Sequence, residues 1–335
     1  MRDSLPSMKL AATTLVAIIS MLVTASCSGG RADIFILKVA SSAPLEEPGS
    51  RALGLFVDRV NAAAGGRIEA RLYAGAALGN DRDATEGLKL GTIEMQMSSN
   101  STLATFVPEM YLFELPFLFE DNEHMFAVLD SEIGEGLRPA LEREGFHLMG
   151  YFTFGLRHIM TTERPIETLE DLRGLKLRTM ESPPHLDAFA AFGASPLPMA
   201  YSELYTSLET GVVDGAEAAN SNYWSKRFYE VAPHWAQVGW LRLVAPVLMS
   251  KAFYDRLPAD LQGLVDSTLM ELVPYERQLY TEVDVERLQQ LIDAGVVVTY
   301  PDRDAFIAAS GSVYDAWAER VGGRDRIDAI RAFRQ

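Results

Sequence analysis

From residue 34 onward the apolar positions switch repeatedly between a period of two and a period near 3.6, as in a chain of alternating strands and helices. Ile34 to Ala40 is a short apolar run of buried-strand length. Leu53, Phe56, Val57 and Val60 recur at helical spacing, and Gly65-Gly66 end that helix. Arg67 to Tyr73 alternates as a strand. This strand–helix–strand opening predicts a parallel pair in an α/β domain. Asn80 or Asp81 can cap the next helix, Gly91 stops it, and Ile93 to Met97 forms a strand ending at Ser98-Ser99-Asn100. Leu112 to Phe119 is dense in aromatic and apolar residues and suits core packing. Phe126 to Leu141 reads as helical, Gly150 to Phe154 as a strand that ends in Gly155-Leu156-Arg157-His158, and Leu243 to Met249 as a buried strand. Pro258 opens a helical segment, Val296 to Tyr300 is a further strand, and Ala305 to Phe333 is mostly helical.

The stretch from Gly174 to Tyr229 organises the rest. In Leu175-Lys176-Leu177-Arg178 the leucines share one face of a strand, and Lys176 and Arg178 share the other. An arginine ending a half-buried strand can hold a permanently charged guanidinium at a cleft mouth. Pro183-Pro184 lead into an apolar helix that Gly193 stops, and Pro196 and Pro198 fix a loop. Ser202 can cap a second helix carrying Leu204, Tyr205 and Leu208, ended by Gly211. A strand from Val212 to Ala219 then runs into the polar-aromatic turn Asn220-Ser221-Asn222-Tyr223-Trp224. Ligands of such α/β units bind beyond the strand ends.

A length of 335 residues is enough for two domains with cores of their own. The formal net charge of −16 argues against nucleic acid or an anionic membrane face as a partner. An anionic ligand would therefore need a local positive pocket, which makes single arginines informative. Residues 1–26 have the layout of an export signal: Arg2 and Lys9, then a largely apolar run from Leu10 to Val23, then small residues. That run is shorter than the ~20 residues of a bilayer-spanning helix. Two cleavage readings compete. Val23-Thr24-Ala25 fits cutting after Ala25, whereas Thr24-Ala25-Ser26-Cys27 resembles a lipoprotein box in which Cys27 is lipidated. Cys27 is the only cysteine, so no intramolecular disulfide exists.

Enzymatic signatures are scarce. The chain has no nucleophile elbow, phosphate-binding loop or dinucleotide fingerprint. Its five histidines show no metal-ligand spacing, and no cofactor is indicated. Asp214 and Glu217 lie three residues apart along a strand and so point to opposite faces, which favours structural roles over an acid/base pair.

The central stretch resembles the extracytoplasmic substrate-binding proteins of tripartite ATP-independent periplasmic (TRAP) transporters, the DctP family. The residues that carry this are Gly174 to Arg178, Gly193-Ala194-Ser195-Pro196, Pro198-Met199 with Ser202-Glu203, Gly211-Val212-Val213-Asp214-Gly215-Ala216-Glu217, and Phe228-Tyr229-Glu230-Val231. The resemblance implies an α/β, two-lobed periplasmic binding protein fold with an interlobe cleft and a hinge of crossing strands. Lobe I is expected over 33–154 plus 244–283, and lobe II over 155–243 plus 284–335. It further implies a long helix through both lobes, in which Pro274 predicts a kink or break near 270–274.

By the same resemblance, Arg178 is the main clamp on a ligand carboxylate and Arg157 a second donor, while Ser99 and Asn100 lie in a loop that contributes to the cleft. Tyr201 and Tyr223 are expected as walls, with Trp224 equally suited to the core. Many relatives carry an asparagine after the glutamate of the Asp214–Glu217 run. This chain has Ala218 there, and Asn220 and Asn222 are the candidate substitutes. Ser99 stands where some sialic-acid-binding relatives have an acidic residue, which disfavours sialic acid. The implied protein is no enzyme. It captures a C4-dicarboxylate, sugar acid or keto acid in the periplasm and delivers it to small and large membrane subunits. A sensor module and an exported hydrolase are the other readings.

Overall fold

The computed structural model describes residues 34–334. The expected export signal and Cys27 lie outside the described residues. Among the described residues, nine strands form one mixed sheet: β1 (Phe35–Ser41), β2 (Ile68–Tyr73), β3 (Met95–Met97), β4 (Phe146–Thr161), β5 (Lys176–Thr179), β6 (Ser195–Pro198), β7 (Gly215–Ala218), β8 (His234–Ser250) and β9 (Val297–Thr299). The order across the sheet is β2-β1-β3-β8-β4-β7-β5-β6, with β9 beside the start of β8. β1 and β2 are parallel, as the opening pattern predicts.

Two strands join the halves of this sheet. β8 pairs with β3 through Val247 to Met249 and with β9 through His234 to Ala236. β4 runs antiparallel to β8 and reaches β7 through His158 to Thr161. At ~3.3 Å per residue, such strands of 16 and 17 residues extend roughly 50 Å. The sequence pattern gives only the short pieces 150–154 and 243–249. Both strands are buried along most of their length, so no polar face marks their continuation. Gly155 reads as the end of a strand, yet both it and Gly239 sit inside strands with positive φ (76° and 62°). The β4–β8 register shifts between Thr153 and Leu156, which is a bulge at Gly155. A Cβ there would lie 2.4 Å from the Tyr280 ring.

Five helices matter for the site: α1 (Pro48–Ala63), α2 (Asp81–Leu90), α3 (Pro183–Ala191), α4 (Asn220–Ser225) and α5 (Ala259–Asp293). α5 runs unbroken through Pro274, contrary to a break near 270–274. Pro274 removes the donor to the Met270 carbonyl, but both residues lie on the exposed face, where water can satisfy that oxygen. The opposite face, with Leu269, Leu272 and Val273, is held against β4 and α1.

The residues expected as a loop at Pro196 and Pro198 form edge strand β6, a place where a missing N–H costs no ladder bond. The helix after it begins at Leu204, and Ser202 makes no capping bond. Separate apolar clusters fill the two halves. One contains Phe56, Met95, Phe152 and Leu269, and the other Leu204, Leu208, Phe228 and Trp235. A third joins residues 103–141 to Phe189, Trp240, Phe306 and Trp317.

Candidate functional site

Adjacent strands bring three charged side chains together. β4 supplies Arg157, β7 supplies Glu217 and β5 supplies Arg178, since β7 lies between the other two. Arg157 Nε donates to Glu217 Oε2 at 2.7 Å, and Arg178 Nη1 donates to Oε1 at 3.1 Å. Arg178 Nε and Nη2 also donate to the Met199 carbonyl, at 3.0 and 2.8 Å. Arg157 Nη2 donates to the Glu217 carbonyl at 3.3 Å. All three side chains are buried. Burial pushes the Glu217 carboxyl up, but the two guanidiniums outweigh burial and hold it below its usual range. Burial, reinforced by Arg157, pulls Arg178 down against the pull of Glu217, although a guanidinium stays charged.

One carboxylate thus serves two cations, and one positive charge is left unmatched. It faces a cavity of about 320 Å³ lined from both halves of the sheet. This is within the ~300–1,000 Å³ of small-molecule pockets.

Arg157, Arg178, Ser99, Tyr201 and Asn222 all line this cavity. Asn222 Oδ1 accepts from Arg157 at 3.4 Å and from the Ala219 N–H at 2.7 Å, so an amide reaches Arg157 although Ala218 supplies none. The remaining expected residues sit elsewhere. Asn100 is buried, donating to the Met110 carbonyl at 3.0 Å and to Glu114 at 2.6 Å. Asn220 binds Asp284, Trp235 and Gln237 at 2.8–3.0 Å. Tyr223 stacks on Trp235 at 4.1 Å between ring centroids, and its hydroxyl donates to the Ala232 carbonyl. These three do not line the cavity, contrary to the expectation, and their polar atoms are bonded within the protein except Asn100 Oδ1, which has no partner. Trp224 stacks on Tyr229 rather than lining the cavity.

Sequence reasoning missed Glu217 as the shared counter-ion, and Asp81, Arg82, Glu181 and Lys226 as cavity residues. A signal existed for Asp81. Asn80 alone caps α2, in a reciprocal box with Asp83, which leaves the Asp81 carboxylate for other partners.

A model of the bacterial extracellular solute-binding proteins, family 7 (DctP), matches residues 39–320. The chain belongs to this family. It is 34% identical over 278 residues to the 2,3-diketo-L-gulonate-binding periplasmic protein of Escherichia coli, covering 82% of this chain and 85% of the relative. A TRAP periplasmic solute-binding protein of Polaromonas, solved with D-erythronate, superposes with a TM-score of 0.87 at 30% identity, covering 90% of this chain and 99% of the other. One from Sulfurospirillum deleyianum, solved with succinate, superposes with a TM-score of 0.86 at 30% identity, covering 90% and 100%. This DctP-family chain has the two-lobed α/β fold of those proteins, and its cavity lies in the interlobe cleft beside the crossing strands β4 and β8. The family consists of solute-binding proteins of transporters. Among the described residues, no helix is long and apolar enough to cross a membrane, and no cluster of His, Cys, Asp and Glu is placed to hold a metal.

Proposed function

We propose that this protein captures a carboxylate-bearing organic acid in the periplasm and delivers it to the small and large membrane subunits of a TRAP transporter. The observation that carries this reading is the Arg157–Glu217–Arg178 triad, a buried group with one positive charge in excess at the cleft. A carboxylate can accept two parallel charge-assisted bonds from a guanidinium, which fixes its orientation as well as its affinity. Arg178 is the primary clamp, because Met199 and Glu217 hold its plane while it borders the cavity. Arg157 and Asn222 are second contacts, and Ser99 and Tyr201 complete the wall. The kinds of acid carried by the diketogulonate, erythronate and succinate relatives bound the candidates.

Lobe I, 33–154 plus 244–283, and lobe II, 155–243 plus 284–335, close on the ligand about β4 and β8. A hydrogen-bonded contact already crosses the cleft: Glu47, in the loop before α1, accepts from Ser221 of α4 at 2.6 Å and from Ser225. A ligand touching both sides favours the closed state by its differential contacts. Residues 1–26 direct export, and a lipidated Cys27 would tether the protein to a membrane.

A thermal-shift screen with small organic acids tests the reading, since a ligand that binds only the folded state raises its stability by mass action. At least one acid is expected to raise Tm in proportion to the logarithm of its concentration. No shift with any acid at millimolar concentration would contradict it. Mass spectrometry of the mature N-terminus tests the tether, and an unmodified Cys27 would end that part.

A further inference from the structure

Helix α4 meets two buried acids at once. From the loop before α1, Glu47 accepts from the Ser221 hydroxyl at 2.6 Å and from the Ser225 hydroxyl. From α5, Asp284 accepts the Ser221 N–H at 3.2 Å and the Asn220 amide at 2.9 Å. Ser221 therefore bridges the two carboxyls, one through its side chain and the other through its backbone. Glu47 is only 4% exposed, and among the described residues no cation is paired with either acid. Lys226 lies over the Tyr201 ring at 5.2 Å, and Arg287 lies over Trp224 at 5.9 Å and beside Glu286 at 3.8 Å.

A carboxylate buried against neutral donors lacks the compensation that water or a partner charge supplies. Burial pushes Glu47 up from its ordinary value. Ser221, Ser225 and Arg287 offset this only in part, and Glu46 on the same loop adds to the rise. Burial, with Glu47 adding to it, raises Asp284 to about 6. Burial lowers Lys226, which Glu47 and Glu46 draw back up. Burial also pushes Tyr201 and Tyr280 well above their ordinary value, so both phenols beside Glu47 stay neutral.

These conditions hold only while the two sides of the cleft touch. When α4 parts from the loop before α1, Glu47 returns to water and its repulsion of Asp284 ends. Closing the cleft must then draw protons from solvent. The same helix reaches the ligand cavity: Asn222 accepts from Arg157 at 3.4 Å, and Lys226 borders the cavity, whereas Glu47 does not line it.

We propose, resting on the organic-acid and two-lobe reading above, that Glu47 is a positioning residue for capture: its hydrogen bonds hold α4 in the closed cleft, closure takes up protons at the Glu47–Asp284 pair, and the acid is held more tightly as pH falls.

The test is titration calorimetry of the full mature protein with D-erythronate, D-glucuronate and succinate at about pH 5.5 and about pH 7.5, corrected for each acid's own ionisation. For an acid that binds, Kd at the higher pH should exceed Kd at the lower by about threefold or more. Between the two, binding enthalpies in phosphate and in imidazole buffer should differ in the sense of net proton uptake. In Glu47→Gln the ratio of the two Kd values should shrink by about twofold or more. Asp81, a second buried acid that lines the cavity, keeps any contribution of its own in that variant. Weaker binding with an unchanged ratio is what a merely structural hydrogen bond gives, and it would overturn the role of Glu47. Glu47→Ala provides the same comparison if the glutamine variant does not fold. Wild-type binding with neither pH dependence nor proton uptake would overturn the inference while leaving the organic-acid reading standing. Failure of all three acids to bind would overturn the organic-acid reading, and this inference with it.

Discussion

Arg157 and Arg178 share one counter-ion: the two oxygens of Glu217 are divided between them, at 2.7 and 3.1 Å. Each partner of the buried triad therefore has a different energetic role. Glu217→Gln would leave two buried guanidiniums facing each other without compensation. Breaking a buried pair in this way costs about 3–5 kcal/mol. Arg178→Ala leaves a matched Arg157–Glu217 pair and should cost less. Urea denaturation of the two variants without ligand checks the order, and a Glu217→Gln loss smaller than that of Arg178→Ala would contradict it.

The hinge carries its own constraint. Gly155 has a φ of 76° and its missing Cβ would sit 2.4 Å from the Tyr280 ring. Gly155→Ala should destabilise the protein by on the order of 1–3 kcal/mol, through backbone strain and the ring contact together. Tyr280→Ala relieves the contact but not the strain. In a double-mutant cycle Gly155→Ala should therefore cost less on the Tyr280→Ala background than in wild type. Equal costs on both backgrounds would show that the ring does not matter.

Asp284 makes stability depend on pH. It accepts from the Ser221 N–H and the Asn220 amide, yet burial raises it from 3.8 to about 6. The Glu47 carboxylate adds to that rise, Arg157 opposes it, and Glu47 is itself raised by burial. A carboxyl with a raised folded-state pKa binds protons more readily in the folded than in the unfolded state. Its stabilising contribution is full below about pH 4 and is lost as pH rises through about 6. Asp284→Asn removes that titration. The stability of wild type minus that of Asp284→Asn should fall between pH 4 and 6, by up to about 3 kcal/mol, and be flat above pH 7. A difference that is constant from pH 4 to 7 would contradict the assignment.

How far the sequence shows this site depends on where its information is local. The alternation around Leu175 to Arg178 places Arg178 on a strand, and the structure puts it on β5. The role of Glu217 depends on strand order, since β7 lies between β4 and β5 and its carboxylate thereby meets two arginines distant in sequence. No period along one strand contains that relation. Arg157 lies past the apparent end of its strand because Gly155 is a bulge rather than a terminator. Tyr223 and Asn220 mislead for a related reason. Polar-aromatic turns suit cleft walls, but here Trp235 of β8 stacks on one and donates to the other, which turns both into the core. Pro274 does not break α5, because an exposed helix face tolerates a lost donor that a buried one would not.

The affinity of Arg178→Ala for the acid that binds wild type tests the central claim most directly. Each bond from a charged donor contributes on the order of 1.5–3 kcal/mol, so losing a two-bond clamp should weaken binding by about a hundredfold to ten-thousandfold. Circular dichroism should remain that of a folded protein, because Arg157 and Glu217 stay paired. Titration calorimetry that found wild-type affinity in the folded variant would contradict the account.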